Sequence, residues 1–409
     1  GIVEAGFGFD VFDDESLEKV GRVDDGGLML GANRYRIVVL PGVETIPPAT
    51  LRKLEEFAGR GGILVAANRL PDSAPGFGAS DAENTEVREI AGRLFLGSSA
   101  RGIVVEETAR LGTVLAGALK PDVTLSPAAP DVGFLHRGAD GAEIYFLANT
   151  ANTPASTTAA FRVADERLLP EWWNPMSGER TPARVAGRAG GLVRIALNLE
   201  PYGSRVLVFS RGASAASPER AAAAAEQTLD ISSGWRVTFG EGGKVEQMAA
   251  LRSWTDEEDT RYFSGIATYE KEVDVPAGLL ANGVAVRLDF GEGKVVAEST
   301  MGFAGMRAWL EGPVREAAIV HVNGTRAGSV WSPPYTLDVT ALLRPGRNQI
   351  RIEVANLAIN HKAGQPLPNY RLLNLRYGER FTDQEMDKIT PQPAGILGPV
   401  RLIAGGTRQ

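Results

Sequence analysis

Three histidines, no cysteines and 50 acidic residues set the chemistry open to this 409-residue chain. His136, His321 and His361 are far apart, and none forms an HxxxH or HExxH pair, so the spacing offers no histidine-based metal centre. Without cysteine there can be no disulfide, thiolate metal site or thiol nucleophile. Glycosidic bonds are cleaved by two carboxyl groups roughly 5–9.5 Å apart beside a sugar pocket. The densest acidic run, Asp256-Glu-Glu-Asp259, lies between Trp254 and Tyr262 and reads as a solvated loop. A loop of that kind can also bind Ca²⁺ through carboxylates and carbonyls. Its spacing is not that of an EF-hand, and Ca²⁺ is the one cofactor left open. Gly6-Phe-Gly8 and Gly59-Arg-Gly-Gly62 do not give GxGxxG between a strand and a helix, so they read as turn and cap glycines.

A second set of residues suits sugar binding, in which rings stack on apolar sugar faces and amides fix the hydroxyls. Trp331 and Tyr335 follow a hairpin signal, with burial under a sheet edge as the competing expectation. In the pair Trp172-Trp173, strand alternation puts one ring in the core and one outside, which makes Trp173 a candidate. Asn360 and His361 fall at a strand end, where a loop would present both, and structural capping is the rival reading. His321 sits within a strand and is expected to pack or to hydrogen-bond. The carbohydrate-binding candidates are therefore Trp331, Tyr335, Asn360, His361 and Trp173, with no metal ligand and no catalytic residue among them.

Length calls for two or three domains to position these residues. In residues 1–121, a helix capped by Asp14 runs through Leu17 and Val20, and Arg34–Pro41 reads as a buried parallel strand. Pro47-Pro48 opens an amphipathic helix carrying Leu51, Leu54, Phe57 and Ala58; Gly61-Gly62 ends it, and Ile63–Ala67 is the next strand. Strand, helix and strand in this order predict a doubly wound α/β domain, which resembles the flavodoxin- and amidotransferase-like folds. Amidotransferase chemistry itself is excluded, because it requires a cysteine. Residues 122–212 read as an antiparallel β-sandwich with strands at Ala142–Asn149, Ser156–Val163, Leu192–Leu199 and Ser204–Phe209. An Ala- and Ser-rich linker, or a short helix within it, is expected over 213–227. Residues 228–409 alternate again over Tyr269–Val275, Val284–Phe290, Ala318–Asn323 and Asn348–Asn356, with Asn323-Gly324 as a hairpin turn, predicting a β jelly-roll or sandwich.

Bulk properties narrow the partners. A net charge of −7 and a pI near 5.3 supply no basic face for nucleic acid, and no apolar run approaches a membrane span. The opening Gly-Ile-Val-Glu reads as a domain entered midway, so a fragment of a longer protein is expected.

Four motifs resemble the galactose-binding-like jelly-roll of glycosidases such as β-galactosidases and β-glucuronidases. They are Phe263–Lys271, Ala318–Gly324, Gly328–Thr340 and Gly346–Asn356. Two further stretches, Tyr35–Pro47 and Pro393–Leu402, resemble the C-terminal region of glycoside hydrolase family 106, the bacterial α-L-rhamnosidases. That resemblance implies a parent that hydrolyses terminal α-L-rhamnosides, with its catalytic glutamates and a Ca²⁺ in an upstream (β/α)8 barrel. Such a barrel takes about 250 residues, and no segment here supplies one. The implied role is an accessory, non-catalytic fragment whose partners are that barrel and rhamnose-containing glycosides. The alternatives are an independent carbohydrate-binding module, or an accessory region of another glycosidase such as a β-galactosidase.

Overall fold

The computed structural model describes residues 1–139, 141–212, 226–280, 284–297, 308–382 and 388–405. Most of its regular structure is β-sheet, spread over several separate sheets. The chain divides into two compact units. One comprises Gly1–Leu147, Ser156–Leu197 and Arg205–Ala213; the other comprises Ala148–Ala155, Asn198–Ser204 and Ser214–Gln409.

The first unit begins with a helix, Asp14–Val20, and a three-stranded antiparallel meander of Gly21–Asp24, Gly27–Leu30 and Asn33–Tyr35. The helix cap is Asp13, not Asp14: the Asp13 carboxylate accepts from Ser16 N at 2.8 Å. Only the residue just outside the first turn can turn its side chain back onto those free N–H groups. The expected strand Arg34–Pro41 is also divided. Asn33–Tyr35 closes the meander, and Ile37–Pro41 alone enters a parallel sheet with Ile63–Ala67 and Ile103–Val105.

Helices cover both faces of that parallel sheet. Pro48–Gly59 buries Leu51, Leu54, Phe57 and Ala58, as its spacing predicted, and packs with Asp81–Phe95 against Val38, Leu40, Leu64 and Ala66. The second of these helices starts with a capping box between Ser80 and Glu83. Leu111 and Leu115, from the helix Leu111–Ala118, lie with Val65 and Val105 on the other face. Each such Leu or Phe removed from water contributes about 1.5–3 kcal/mol, so burial fixes this arrangement more than helix propensity does.

Two further sheets complete the unit. Their orders are Val185–Ala189, Leu192–Leu199, Ala155–Arg162, Val123–Ser126 and Arg180–Pro182, Leu169–Trp173, Ser204–Ser210, Ala142–Asn149, Val132–Ala139. Tyr145, Phe161 and Phe209 meet between them with ring centroids 5.0–6.0 Å apart. The strand Val123–Ser126 continues from residues held by the N-terminal segment, since Asp122 N donates to Gly6 O at 2.8 Å. The first unit therefore holds residues 1–121 together with most of 122–212.

In the second unit, a four-stranded sheet and a six-stranded sheet enclose one core. The first runs Gln227–Asp230, Arg401–Ala404, Val286–Asp289, Thr336–Asp338. The second runs Val245–Ala250, Ser233–Phe239, Ile266–Val275, Gly346–Ala355, Ala317–Val322, Thr325–Val330. Trp235, Trp254, Tyr269, Leu288, Phe290, Val320, Ile352 and Leu402 are buried between them. Asn323 and Gly324 have φ of 52° and 82°, the left-handed pair that a tight hairpin turn requires, so that turn forms where the sequence put it. Residues 213–225 of the expected linker lie outside the described residues, and Gln227 already belongs to a strand.

Candidate functional site

Along Ile266–Val275, odd positions such as Ala267, Tyr269 and Val273 enter the core, which turns Glu270 and Glu272 outward. Pairing register then assembles a polar surface from four strands. Arg236 lies opposite both Gln247 and Glu270, and Glu272 lies opposite Gln349. Gly234 contributes no side chain, and the resulting groove of about 330 Å³ is lined by Gly234, Arg236, Gln247, Glu270, Lys271, Glu272 and Gln349. A second hollow of about 270 Å³ shares Glu272 and adds Asp274 and Arg347.

Ion pairs shape this groove. Arg236 Nη1 donates to Glu270 Oε2 at 2.9 Å, and Arg347 Nε stands 3.6 Å from Glu272 Oε2. Lys271 curls to the edge instead: its ammonium donates to Ile231 O at 3.1 Å and to Ser233 O, and lies 5.8 Å from the centre of the Trp235 ring. Burial pulls its pKa below the ordinary lysine value, opposed by Asp230. The lining presents guanidinium, amide and carboxylate groups, the donors and acceptors that bind hydroxyls. It presents no aromatic ring for stacking. Glu270 and Glu272 neighbour each other on one strand face, but both face cations in an open groove. A general acid instead needs apolar surroundings that keep it protonated.

The residues named from sequence are not gathered into one place. Trp331 follows the edge strand Thr325–Val330 and is 56% exposed, whereas Tyr335 is buried in the core. The two therefore separate, because only Tyr335 turns inward beneath the sheet edge. Asn360 and His361 lie on a short helix, Ile359–Ala363, rather than in the expected loop. Asn360 is buried and engaged with the chain itself: its Nδ2 donates to Gln392 O and its Oδ1 accepts from Gln392 N, both at 2.8 Å. His361 is exposed, its backbone N–H donating to Ser264 Oγ at 2.8 Å. Trp172 and Trp173 do not divide into an inner and an outer ring. Both are half-buried, with Arg205 5.4 Å from the Trp172 ring and Arg180 4.2 Å from that of Trp173. Stacked guanidinium groups cover both rings of this edge region, which alternation alone does not anticipate.

The acidic run is a charged surface. Asp256 Oδ2 accepts from Ser253 N, Glu257 pairs with Arg252 and Asp259 with Lys244. Among the described residues, no three His, Asp or Glu side chains converge as a metal site. His321 Nδ1 is buried without a hydrogen-bond partner among the described residues. The groove residues Arg236, Gln247, Glu270 and Gln349 were not singled out by sequence. Their outward phase was visible in the alternating strands, but the pairing register that joins them was not.

Residues 2–186 match the family model described as α-L-rhamnosidase, glycoside hydrolase family 106. The chain superposes on the structure of a rhamnosidase from Novosphingobium sp. PP1Y with a TM-score of 0.72 and 26% identity, covering 95% of this chain and 35% of that one. A putative β-glucuronidase of Formosa agariphila is 29% identical over 177 residues, 37% of this chain and 13% of that protein. The chain thus spans about a third of the rhamnosidase and a smaller part of the glucuronidase-like protein. The chain is similar to the family 106 α-L-rhamnosidases by sequence over residues 2–186 and by fold over nearly its whole length.

Proposed function

We propose that this chain is the accessory, non-catalytic C-terminal region of an α-L-rhamnosidase. Its parallel-sheet segment would be the flavodoxin- or amidotransferase-like domain, followed by a small β-sandwich and a galactose-binding-like jelly-roll. The observation carrying this reading is the superposition of 95% of the chain on only 35% of a rhamnosidase. Helices on both faces of a parallel sheet, and two sheets around one core, support the finer domain assignments. In the parent enzyme, two carboxyl groups outside this chain would perform the hydrolysis. The purified chain is therefore expected to leave p-nitrophenyl α-L-rhamnoside uncleaved, and substantial turnover would refute the assignment.

A second reading, an independent carbohydrate-binding module, is favoured by the exposed Trp331 ring and the hydrogen-bonding groove. Calorimetry with rhamnose and galactose, comparing wild type with Trp331→Ala and Arg236→Ala, separates the two. Heat that either variant abolishes supports a module, and no heat from any form leaves a purely structural role.

A further inference from the structure

Within the first unit, one imidazole is held between two carboxylates. His136 Nδ1 lies 3.0 Å from Asp122 Oδ1, and Nε2 lies 2.8 Å from Glu143 Oε2. All three side chains are at most 15% exposed. The ring lies flat on Tyr145, with centroids 4.1 Å apart and planes 7° from parallel. The other groups facing the cluster are Arg162, whose guanidinium donates to Asp122 Oδ1, and the Tyr145 hydroxyl, which donates to Arg162 O at 2.5 Å. Arg137, next along the strand, reaches only the His136 carbonyl, at 3.4 Å.

The two carboxylates also hold backbone. Asp122 Oδ2 accepts from Gly8 N at 3.1 Å, and Glu143 Oε1 accepts from Ala164 N at 2.6 Å. The N-terminal segment and the turn after Ala155–Arg162 are thereby tied to the hairpin that carries His136. Ionised carboxylates only accept hydrogen bonds, and a neutral imidazole carries a single N–H. Both ring contacts can be satisfied together only by the imidazolium. With Arg162, that form balances two negative charges against two positive ones. Loss of the ring proton leaves a lone pair against a carboxylate oxygen, and one uncompensated negative charge in a poorly hydrated site.

We propose that Asp122, His136 and Glu143 form a pH-operated latch, closed while His136 is protonated, which opens on deprotonation to free Gly8 or Ala164. Burial alone would lower the His136 pKa, but the hydrogen bonds and charges of Asp122 and Glu143 outweigh it and raise it. Burial likewise opposes the Asp122 and Glu143 carboxylates, yet His136 and the backbone donors hold both below their ordinary values. The histidine contribution is complete below its unfolded pKa of about 6.5 and fades as pH climbs through the raised folded value. The carboxylate contributions are complete above about pH 4.3 and fade as pH falls through the lowered folded values. The latch is therefore tightest between these limits and opens on the alkaline side.

Histidine-selective ¹⁵N NMR of the whole chain tests this, because only three rings contribute. The expected result is a His136 ring protonated on both nitrogens at neutral pH, with a midpoint above the ordinary histidine value. Hydrogen–deuterium exchange in peptides covering Gly8 and Ala164, corrected for intrinsic rates, should then speed by up to about tenfold per pH unit above that midpoint. Glu143→Gln should lower the midpoint, and His136→Gln should remove the excess pH dependence. Should a variant fail to fold, the wild-type titration decides alone. A His136 midpoint at or below the ordinary histidine value, or protection unchanged from neutral to alkaline pH, would overturn the latch.

Discussion

Replacing Gly395 by alanine probes how closely the second unit is packed. Gly395 has φ of 103°, and a Cβ built on it would lie 2.4 Å from Trp254 Nε1 and 2.7 Å from Tyr269 Oη. Those two atoms are hydrogen-bonded to each other at 2.6 Å, both rings are fully buried, and burial pushes the Tyr269 hydroxyl pKa up to about 12. A methyl group cannot enter without separating the pair or shifting the strand Gly395–Ile396 away from Val314–Arg315. Backbone strain of about 1–3 kcal/mol adds to overpacking of about 1–3 kcal/mol, giving a loss of about 2–6 kcal/mol. For a unit of this size, each kcal/mol lowers Tm by about 2–4 °C, so a midpoint loss on the order of 10 °C is expected. Tryptophan fluorescence follows it, because Trp235 and Trp254 lie in the same core. Gly278→Ala is the control: no atom lies within 4 Å of its built Cβ and its φ is not positive, so it should change little. A Gly395→Ala variant that melts within about 2 °C of wild type, a difference worth at most about 1 kcal/mol, would show that the Trp254–Tyr269 contact leaves room for a methyl group.

Other substitutions separate structural from surface residues. Asn360→Ala should destabilise by about 1–3 kcal/mol in urea titrations, since it removes the two hydrogen bonds by which the buried Asn360 side chain holds the Gln392 backbone. Trp331→Ala should shift stability by no more than about 0.5 kcal/mol, because its ring lies largely in water. Leu54→Ala should cost about 2–5 kcal/mol by opening a cavity between two helices and the parallel sheet, read as an earlier melting transition of the first unit. Arg236→Ala should lower stability by less than about 1 kcal/mol, its partner Glu270 being an exposed-face ion pair, so any loss of sugar binding in that variant would report the groove itself.

Local signals were the most legible in the sequence. Pro48 and the apolar spacing through Ala58 located a helix because burial on one face needs only that spacing. Asn323-Gly324 located a turn because few residue pairs accept two positive φ values. Asp13 displaced Asp14 as a cap by a single position, within the precision of such signals. The groove was not legible, because Arg236 and Glu270 are 34 positions apart and meet only through strand register. His136 was visible as a histidine, yet its partners lie 14 and 7 positions away across strand pairs that chain order does not specify. Trp331 and Tyr335 were read together, and their opposite fates depend on which side of an edge strand each residue leaves.

The most direct test of the accessory role compares two proteins on one substrate. Rhamnose release from p-nitrophenyl α-L-rhamnoside should be measured for this 409-residue chain alone and for the longer enzyme of which it is proposed to be part. Cleavage by the longer enzyme and none by the chain is the expected result. Cleavage by the chain alone, or a longer enzyme that releases no rhamnose, would contradict the accessory role.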